Sequence, residues 1–258
     1  MITLYDNPFS PFARKVRMVL RIKDLPFRSV DALARSDLAR LEQVNRRAEV
    51  PVLVEDDLVV ADSADIVAYL EDRHPEPSVL PSSISDRAKA RRWQRRADSV
   101  LDAIIHDISL WIWPTHDRPD EPPPGLLESG RRDLERVLGQ LEDEIDPSGF
   151  CCETLSIADL ALFPHVSSLK PLGVVLEESR YPKLRQWNRQ MRSEAVVAED
   201  LAYVKRSATE KFVPGPSPYE SSKIVWRGDR IEWLLANGFV DWFVAELRAG
   251  RAVFPRSV

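Results

Sequence analysis

The chain has 258 residues, of which 44% are hydrophobic and 30% are charged, so it can bury the core of one large domain or two ordinary ones. The formal net charge of −5 and a pI near 5.5 argue against nucleic acid as the main partner. No apolar stretch approaches the roughly 20 residues of a membrane span, and the start lacks a secretory signal pattern. The composition therefore predicts a soluble, cytoplasmic protein with no membrane partner.

The two cysteines, Cys151 and Cys152, are neighbours in a predicted loop. Adjacent cysteines cannot link distant segments, and two of them cannot supply a four-ligand zinc site. We therefore expect reduced thiols and no metal. A redox role is disfavoured because a disulfide between neighbouring residues is strained.

The first 75 residues alternate short apolar runs with helical patterns. Ile2 to Tyr5 predicts a strand, and the pair Ser10 and Pro11 predicts the N-cap and first position of a helix that ends before Pro26. Arginine and lysine side chains occupy the faces of this helix that its apolar residues leave free. The run FRSV, which begins at Phe27, predicts a second strand.

A second set of elements follows in the same region. Ser36 to Asn45 predicts a short amphipathic helix, and two β-branched runs, Val52 to Val54 and Leu58 to Val60, predict a hairpin around an acidic turn. Ser63 then predicts the N-cap of a further helix. The resulting order, β-α-β-α-β-β-α, predicts a small α/β layer.

The remainder of the chain has a helical pattern. It begins after His74 to Asp86, a stretch rich in proline and serine that predicts a linker. Apolar residues then recur at spacings of three and four from Trp93 to Trp111, Val100 included, and again from Leu134 to Ile145. These two stripes predict long helices that pack antiparallel in a helical domain.

Shorter helical signals continue to the end of the sequence. Ser156 and Asp159 are spaced as a capping box, and Pro182 predicts the start of another helix. A second proline-rich connector begins at Phe212, and two short apolar helices ending at Gly238 and Gly250 follow it. We expect this tail to pack onto the body and to roof a cleft.

Four segments, in this order, resemble the glutathione S-transferase family, of a serine-type, bacterial or zeta-like kind. They are SPFARKVR at the first helix, VP before the third strand, ADS at the last helix of the α/β layer, and SIADLAL in the helical part. The resemblance implies an α/β plus all-α fold, with a thioredoxin-like N-terminal domain, a helical bundle domain and a helical C-terminal extension. The expected bounds are 1–75, 86–211 and 212–258.

Ser10 is the predicted catalytic residue. It stands where a glutaredoxin-like fold has the first cysteine of a Cys-Pro-x-Cys motif, and Ala13 stands at the second, so disulfide exchange is excluded. The resemblance implies that the hydroxyl donates a hydrogen bond to the thiolate of glutathione, helped by the helix dipole. An ordinary N-cap, worth about 1 kcal/mol, is compatible with that role. Related families also use a nearby tyrosine, and Tyr5 is present.

The resemblance also implies which residues bind glutathione, the expected co-substrate. A cis bond between Val50 and Pro51 would turn the backbone of Val50 toward the cysteinyl part, whereas the residues alone favour an ordinary trans proline at a strand start. Asp62 would pair with the γ-glutamyl ammonium. Ser63 and its N–H would take the γ-glutamyl carboxylate while also capping the helix.

The loop before Val50 departs from the family pattern. The family commonly has a glutamine or lysine there for the glycyl carboxylate, whereas this chain reads NRRAEVP. Glu49 has the wrong sign for an anionic ligand, and Arg47 is the cation that we expect to replace the missing one. This change predicts either weak affinity for glutathione or a different thiol partner.

Other polar residues are weaker candidates. His106 lies on the long helix that would face the cleft, and we expect it to be structural. Asp98 and Asp102 on the same helix either border the site or are solvated, and we expect them to be solvated. The arginine-rich segment RAKARRWQRR is either a solvated helix face or a subunit contact.

Two functions follow from these observations. The first is a glutathione transferase that attacks a small apolar electrophile or isomerises one through a transient thiol adduct. Trp93, Trp111 and Trp113 either line its second-substrate pocket or pack in the core. The second is a non-catalytic binding or carrier protein with the same fold, which Glu49 and the long tail favour. The resemblance further implies a homodimer.

Overall fold

The computed structural model describes residues 1–32, 35–112, 121–212 and 225–255, with the backbone alone for 35–39. Its first part contains strands and helices in the predicted order, which confirms the α/β layer. They are β1 (Ile2–Asp6), α1 (Pro11–Ile22), β2 (Phe27–Asp31), α2 (Arg35–Val44), β3 (Val52–Glu55), β4 (Leu58–Ala61) and α3 (Ser63–Arg73).

The strands form one mixed sheet in the order β2-β1-β3-β4. β1 pairs parallel with β2, with Ile2 opposite Phe27, because α1 provides the crossover that a parallel pair needs. β1 pairs antiparallel with β3, with Leu4 opposite Leu53, and β3 and β4 form the predicted hairpin. Ile2, Leu4 and Leu53 are buried, so this sheet forms one side of a thioredoxin-like core.

Helices make up the rest of the described chain, as the helical pattern predicts. They are α4 (Ile84–Arg96), α5 (Asp102–Ile112), α6 (Leu126–Glu144), α7 (Ile157–Ser167), α8 (Pro182–Ser193), α9 (Ala195–Lys211), α10 (Gly228–Ala236) and α11 (Val240–Arg248). None of the helices in the described ranges is long and apolar enough to cross a membrane. The division into 1–75, 86–211 and 212–258 stays a prediction.

The first long stripe is interrupted by a π-helical segment, Ala97–Leu101, between α4 and α5. A π turn contains one residue more than an α turn, so it shifts the apolar face around the helix axis. Val100 is consequently 42% exposed, whereas Leu101 and Ile104 are buried. The prediction that Val100 belongs to the buried stripe is therefore wrong.

The predicted capping box at the start of α7 is confirmed. The Ser156 backbone N–H donates to the Asp159 carboxylate, which is fully buried. The same carboxylate accepts from the Cys151 N–H and from the Trp187 indole at 2.8 Å each. Cys151 and Cys152 are free thiols and both are buried, and burial raises the pKa of the Cys151 thiol well above its usual value.

A helix that the sequence analysis did not identify, α9, joins the two parts of the molecule. Its Asp200 accepts from the Arg14 and Arg17 side chains of α1 at 2.8 Å each, and all three residues are buried. Arg17 also pairs with Asp6 of β1 at 2.6 Å. The expectation that the basic residues of α1 occupy its free faces is therefore wrong for Arg14 and Arg17, because they neutralise buried carboxylates.

The tail residues 225–255 pack against α5. Arg230 of α10 forms an ion pair with the buried Asp102 carboxylate at 3.1 Å. Trp226 and Phe243 are buried, and their rings lie 5.5 Å apart in an edge-to-face arrangement. The Trp226 N–H donates to the Val253 carbonyl at 2.7 Å, which closes the tail on itself.

We predict that Asp200→Asn lowers the free energy of unfolding by about 3 kcal/mol, because removing one partner of a buried ion pair leaves buried charge uncompensated. Chemical denaturation followed by tryptophan fluorescence measures the change. Glu199→Gln is the matched control, since Glu199 is the preceding residue, is 60% exposed and pairs with Arg21 at the surface. Equal losses in the two variants would contradict the prediction.

Candidate active site

A cavity of about 750 Å³ lies between the first layer and the helical part. Five of the six predicted site residues meet in its wall, although they come from two separate loops. They are Arg47, Val50, Pro51, Asp62 and Ser63. The opposite wall consists of residues from α4, from the π-helical segment and from the turn that leads into α10.

The start of α3 provides one end of the cavity. The prediction that Ser63 is the N-cap is wrong: Asp62 is the cap, and its carboxylate accepts from the Ala64 N–H at 2.7 Å. Asp62 has a φ of 73°, a backbone conformation that favours glycine and that non-glycine residues adopt mainly at special sites. Ser63 follows as the first helical residue, and its N–H is therefore among those that no helix carbonyl can accept.

The loop before β3 provides the adjoining wall. The bond between Val50 and Pro51 is cis, as the family resemblance implies. Arg47 donates to Glu49 at 2.6 Å, and these two side chains are 40% and 33% exposed. Asn45 supports the turn, since its side chain donates to the Glu49 carbonyl and accepts from the Arg47 N–H. The expected cation is thus present, but it is paired with the acidic residue that the sequence analysis considered unfavourable.

Ser10 caps α1, as predicted, and its hydroxyl oxygen accepts from the Ala13 N–H at 3.4 Å. The residue is half-buried. The cavity wall contains Phe12, two residues further along the same turn, but it does not include Ser10 among the described residues. The cap is therefore confirmed, and the contact of Ser10 with a thiolate stays a prediction.

The layer beneath Phe12 contains a buried histidine. The rings of Phe12 and His165, which belongs to α7, lie 6.2 Å apart and edge to face. His165 is 2% exposed, and its Nε2 has no hydrogen-bond partner among the described residues. Burial lowers the pKa of His165 to about 4, so the imidazole is neutral at physiological pH.

The expectation that Asp98 and Asp102 are solvated is wrong. Asp98 lines the cavity and pairs at 2.5 Å with Lys15, whose side chain is completely buried. Asp102 is 4% exposed and is held by Arg230 of the tail. Sequence spacing could not reveal these pairs because their partners belong to other helices. In the described part of the chain, no three histidine, cysteine or acidic side chains are grouped as a metal site.

Of the three tryptophans, the two that the structure describes, Trp93 and Trp111, are not in the cavity wall, which favours core packing over the second-substrate pocket. Trp93 is fully buried, and its indole donates to Glu144 of α6 at 3.0 Å, so it belongs to the core. Trp111 packs edge to face against Trp242 of α11 at 6.1 Å. Trp113 lies outside the described residues. His106 is half-buried on α5 and is not part of the described cavity wall.

The wall residues that the sequence did not identify include two charged residues of the tail. Arg227 and Asp229 flank the start of α10 and line the cavity, and the Arg227 guanidinium lies 4.8 Å from the centre of the Phe12 ring. The expectation that the tail roofs a cleft had indicated that tail residues would lie in this region. It did not identify the side chains, because only the fold brings residue 227 next to residue 12.

This fold is found in a known family. Family models for the glutathione S-transferase N-terminal and C-terminal domains match residues 4–78 and 115–188. The chain therefore belongs to the glutathione S-transferase family.

Individual relatives agree with this assignment. Glutathione S-transferase 1 of Manduca sexta is 27% identical over 201 residues, which are 72% of this chain and 86% of the relative. FtsZ-localized protein A of Caulobacter vibrioides is 27% identical over 185 residues, 67% of this chain and 79% of the relative. The crystal structure of a glutathione S-transferase from Rhodospirillum rubrum F11 is 28% identical, with a TM-score of 0.65 over 78% of this chain and 92% of that one.

We predict that His165 makes the protein sensitive to acid. Because the pKa falls from 6.5 to about 4 on folding, the folded state resists protonation. The contribution of His165 to the free energy of unfolding is fully present above pH 6.5 and is lost as the pH falls toward 4. This loss lowers the free energy of unfolding by about 3 kcal/mol.

The free energy of unfolding at pH 6.5 and at pH 4 tests this prediction. The loss between these values should be smaller in His165→Gln than in the wild type, whatever the substitution does to stability at the higher pH. His74→Gln is the control, at a half-buried histidine that ends α3. An unchanged pH dependence in His165→Gln would show that other groups cause the acid sensitivity.

Proposed function

We propose that the protein is a glutathione transferase that binds glutathione in the cavity and activates its thiol for attack on an electrophile. The observation that carries the proposal is the meeting of Val50, Asp62 and Ser63 in one cavity wall next to the first turn of α1. Isomerisation through a transient thiol adduct would use the same residues. A cytoplasmic location is part of the proposal, because thiols are kept reduced there.

The proposed binding mode uses both loops of the cavity wall. The Val50 backbone would pair with the cysteinyl part of glutathione, and Asp62 would pair with the γ-glutamyl ammonium. The γ-glutamyl carboxylate would accept from Ser63 and its backbone N–H at the positive end of α3. Arg47 would bind the glycyl carboxylate. Its pair with Glu49 is partly exposed, and such a pair contributes only about 0–1 kcal/mol, so a ligand can replace it.

The proposed chemistry depends on the Ser10 hydroxyl. The oxygen accepts the Ala13 N–H, and this leaves the hydroxyl proton available as a donor to the thiolate. That hydrogen bond and the α1 dipole would favour the ionised thiol, whose proton leaves to solvent. The sulfur lone pair then forms the C–S bond with the electrophile. In a substitution, the leaving group departs with the electron pair of the bond that breaks.

We predict that Ser10→Ala reduces kcat/KM for conjugation of glutathione to 1-chloro-2,4-dinitrobenzene by about tenfold or more, because the thiolate loses a charge-assisted donor. The pH at which kcat/KM reaches half its maximum should be higher in Ser10→Ala than in the wild type, because the glutathione thiol then ionises less readily. The matched control is Ser83→Ala, since Ser83 caps α4 with the same 3.4 Å contact to a backbone N–H, here that of Asp86, away from Ser10. The control separates thiol activation from the loss of a helix cap.

Retention on glutathione-agarose completes this experiment. Retention of the wild type and of Ser10→Ala, with activity lost only in the variant, would support the proposal. If Ser10→Ala keeps its activity and Tyr5→Phe loses it, the activating residue is Tyr5. If the wild type is not retained at any pH, glutathione is not the ligand.

A non-catalytic binding protein is the second candidate function. Two observations favour it: Arg47 is engaged by Glu49, and Ser10 is outside the cavity wall among the described residues. One relative, FtsZ-localized protein A, is named for a location at another protein rather than for a reaction. Binding to glutathione-agarose without turnover of any aryl halide would favour this candidate.

We also propose that the protein is a homodimer in which α3 of one subunit packs against α4 of the other. The exposed face of α3 carries Ala64 and Ala68, which allow close approach, together with the acidic Asp65. The exposed face of α4 carries Arg91 and Arg95, which have no ion-pair partner among the described residues and which line the cavity, as the three α3 residues also do. These opposite charges suit a two-fold contact, because each subunit contributes both faces.

We predict that the double variant Arg91→Glu and Arg95→Glu is a monomer at concentrations where the wild type is a dimer, since both faces are then acidic. Size-exclusion chromatography with light scattering measures the mass. Arg131→Glu is the control, at an exposed arginine of α6. A wild type that is monomeric at all concentrations, or a double variant that stays dimeric, would contradict the proposed contact.

A further inference from the structure

The part of the cavity wall nearest Phe12 is charged rather than apolar. We infer that Arg227 determines the second substrate, and that the preferred electrophile carries a carboxylate or another anionic group. This inference rests on the proposed transferase function. It replaces the small apolar electrophile that the sequence predicted.

Arg227 lies where the second substrate must approach. Its guanidinium carbon is 4.8 Å from the centre of the Phe12 ring, and both residues line the cavity. Phe12 belongs to the first turn of α1, two residues after Ser10. A group that reacts with a thiolate held at the start of α1 therefore comes close to the Arg227 side chain.

The neighbours of Arg227 hold its backbone in place. Trp226 is 3% exposed, its N–H donates to the Val253 carbonyl, and its ring packs 5.9 Å from that of Trp242. Arg230, one turn later, is fixed by its ion pair with the buried Asp102. A cation on such a support loses little conformational entropy when it binds an anion.

The donors of Arg227 are largely unused. Only one contact with an acidic group occurs among the described residues: the Nε lies 3.5 Å from Asp229 Oδ1. A guanidinium has five N–H donors in a planar fork that matches a carboxylate. The side chain is 27% exposed, so these donors can be reached from the cavity.

The other charges on this wall do not compensate Arg227. Asp98 is paired with Lys15 at 2.5 Å, so its negative charge is already neutralised. Asp229 is the only competitor among the described lining residues of the tail, and burial raises the pKa of its carboxyl. The Arg227 guanidinium is therefore weakly paired and stacked on an aromatic ring, and two arginines of α4, Arg91 and Arg95, line the same cavity.

Two electrophiles of similar shape and different charge test the inference: 4-chloro-3-nitrobenzoate and 4-chloro-3-nitrobenzamide. With either one, the glutathione sulfur forms a C–S bond to the ring and chloride leaves with the electron pair of the C–Cl bond. The amide withdraws more electron density from the ring than the carboxylate, so each kcat/KM is divided by the rate constant of the uncatalysed reaction with glutathione. The ratio of these two rate enhancements, and its change on substitution of Arg227, report the electrostatics of the second-substrate wall.

We expect Arg227→Gln to lower kcat/KM for the benzoate by about tenfold, mainly through KM, and to leave the benzamide value unchanged. Arg227→Lys should restore part of the loss, because it restores the charge without the planar fork. Asp229→Asn should act in the opposite direction and lower KM for the benzoate, since it removes the competing carboxylate. Arg248→Gln is the control, at an exposed arginine of the same tail.

The outcomes separate this inference from the proposed function. If the wild type turns over neither compound and does not bind glutathione, the transferase proposal fails and the inference fails with it. If the wild type accelerates both reactions equally over their uncatalysed rates, or if Arg227→Gln affects both equally, the protein is a transferase but Arg227 does not select an anion. Only a loss confined to the benzoate supports the inference.

Discussion

One buried carboxylate determines how the two parts of the molecule meet. Asp200 of α9 accepts from Arg14 and Arg17 of α1, and all three side chains are buried. The same helix, α1, carries Ser10 and Phe12 in its first turn, next to the cavity. Removing one partner of a buried ion pair lowers the free energy of unfolding strongly, whereas an exposed ion pair contributes little to it. The position of the candidate site relative to the helical domain therefore depends on this contact.

The sequence predicted those parts of the fold whose signals are local. Ser10 with Pro11, the capping box at Ser156 and the glycines that follow α10 and α11 each act within about one helical turn. The hairpin of β3 and β4 was found for the same reason, whereas the two loops of the cavity wall were identified from the family resemblance. In each local case neighbouring residues supply both the donor and the acceptor, or both the turn and the strand.

The features that were missed depend on residues far apart in the chain. Arg17 and Asp200 are separated by 183 positions, and Lys15 and Asp98 by 83, so periodicity marked these charges as solvated. The helix α9 was not recognised, although its Asp200 carboxylate pairs with Arg14 and Arg17 of α1. Where the sequence was wrong locally, as with Ser63 and the cap of α3, two adjacent residues could both cap and only the backbone conformation decided between them.

The charges of the cavity give a physical reason for a ligand to bind in one orientation under the proposed function. Asp62 at the start of α3 carries a negative charge without an ion-pair partner in the described part of the chain, and Arg227 beside α1 carries a weakly paired positive charge. Asp98 lines the same cavity but is neutralised by Lys15. Under the proposed function, Asp62 would therefore favour the ammonium of the ligand and Arg227 would favour an anionic electrophile. The reversed arrangement places like charges together, which costs free energy in a partly buried cleft. The tail thus contributes to the charge distribution that orients a ligand in the site, as well as to the roof of the site.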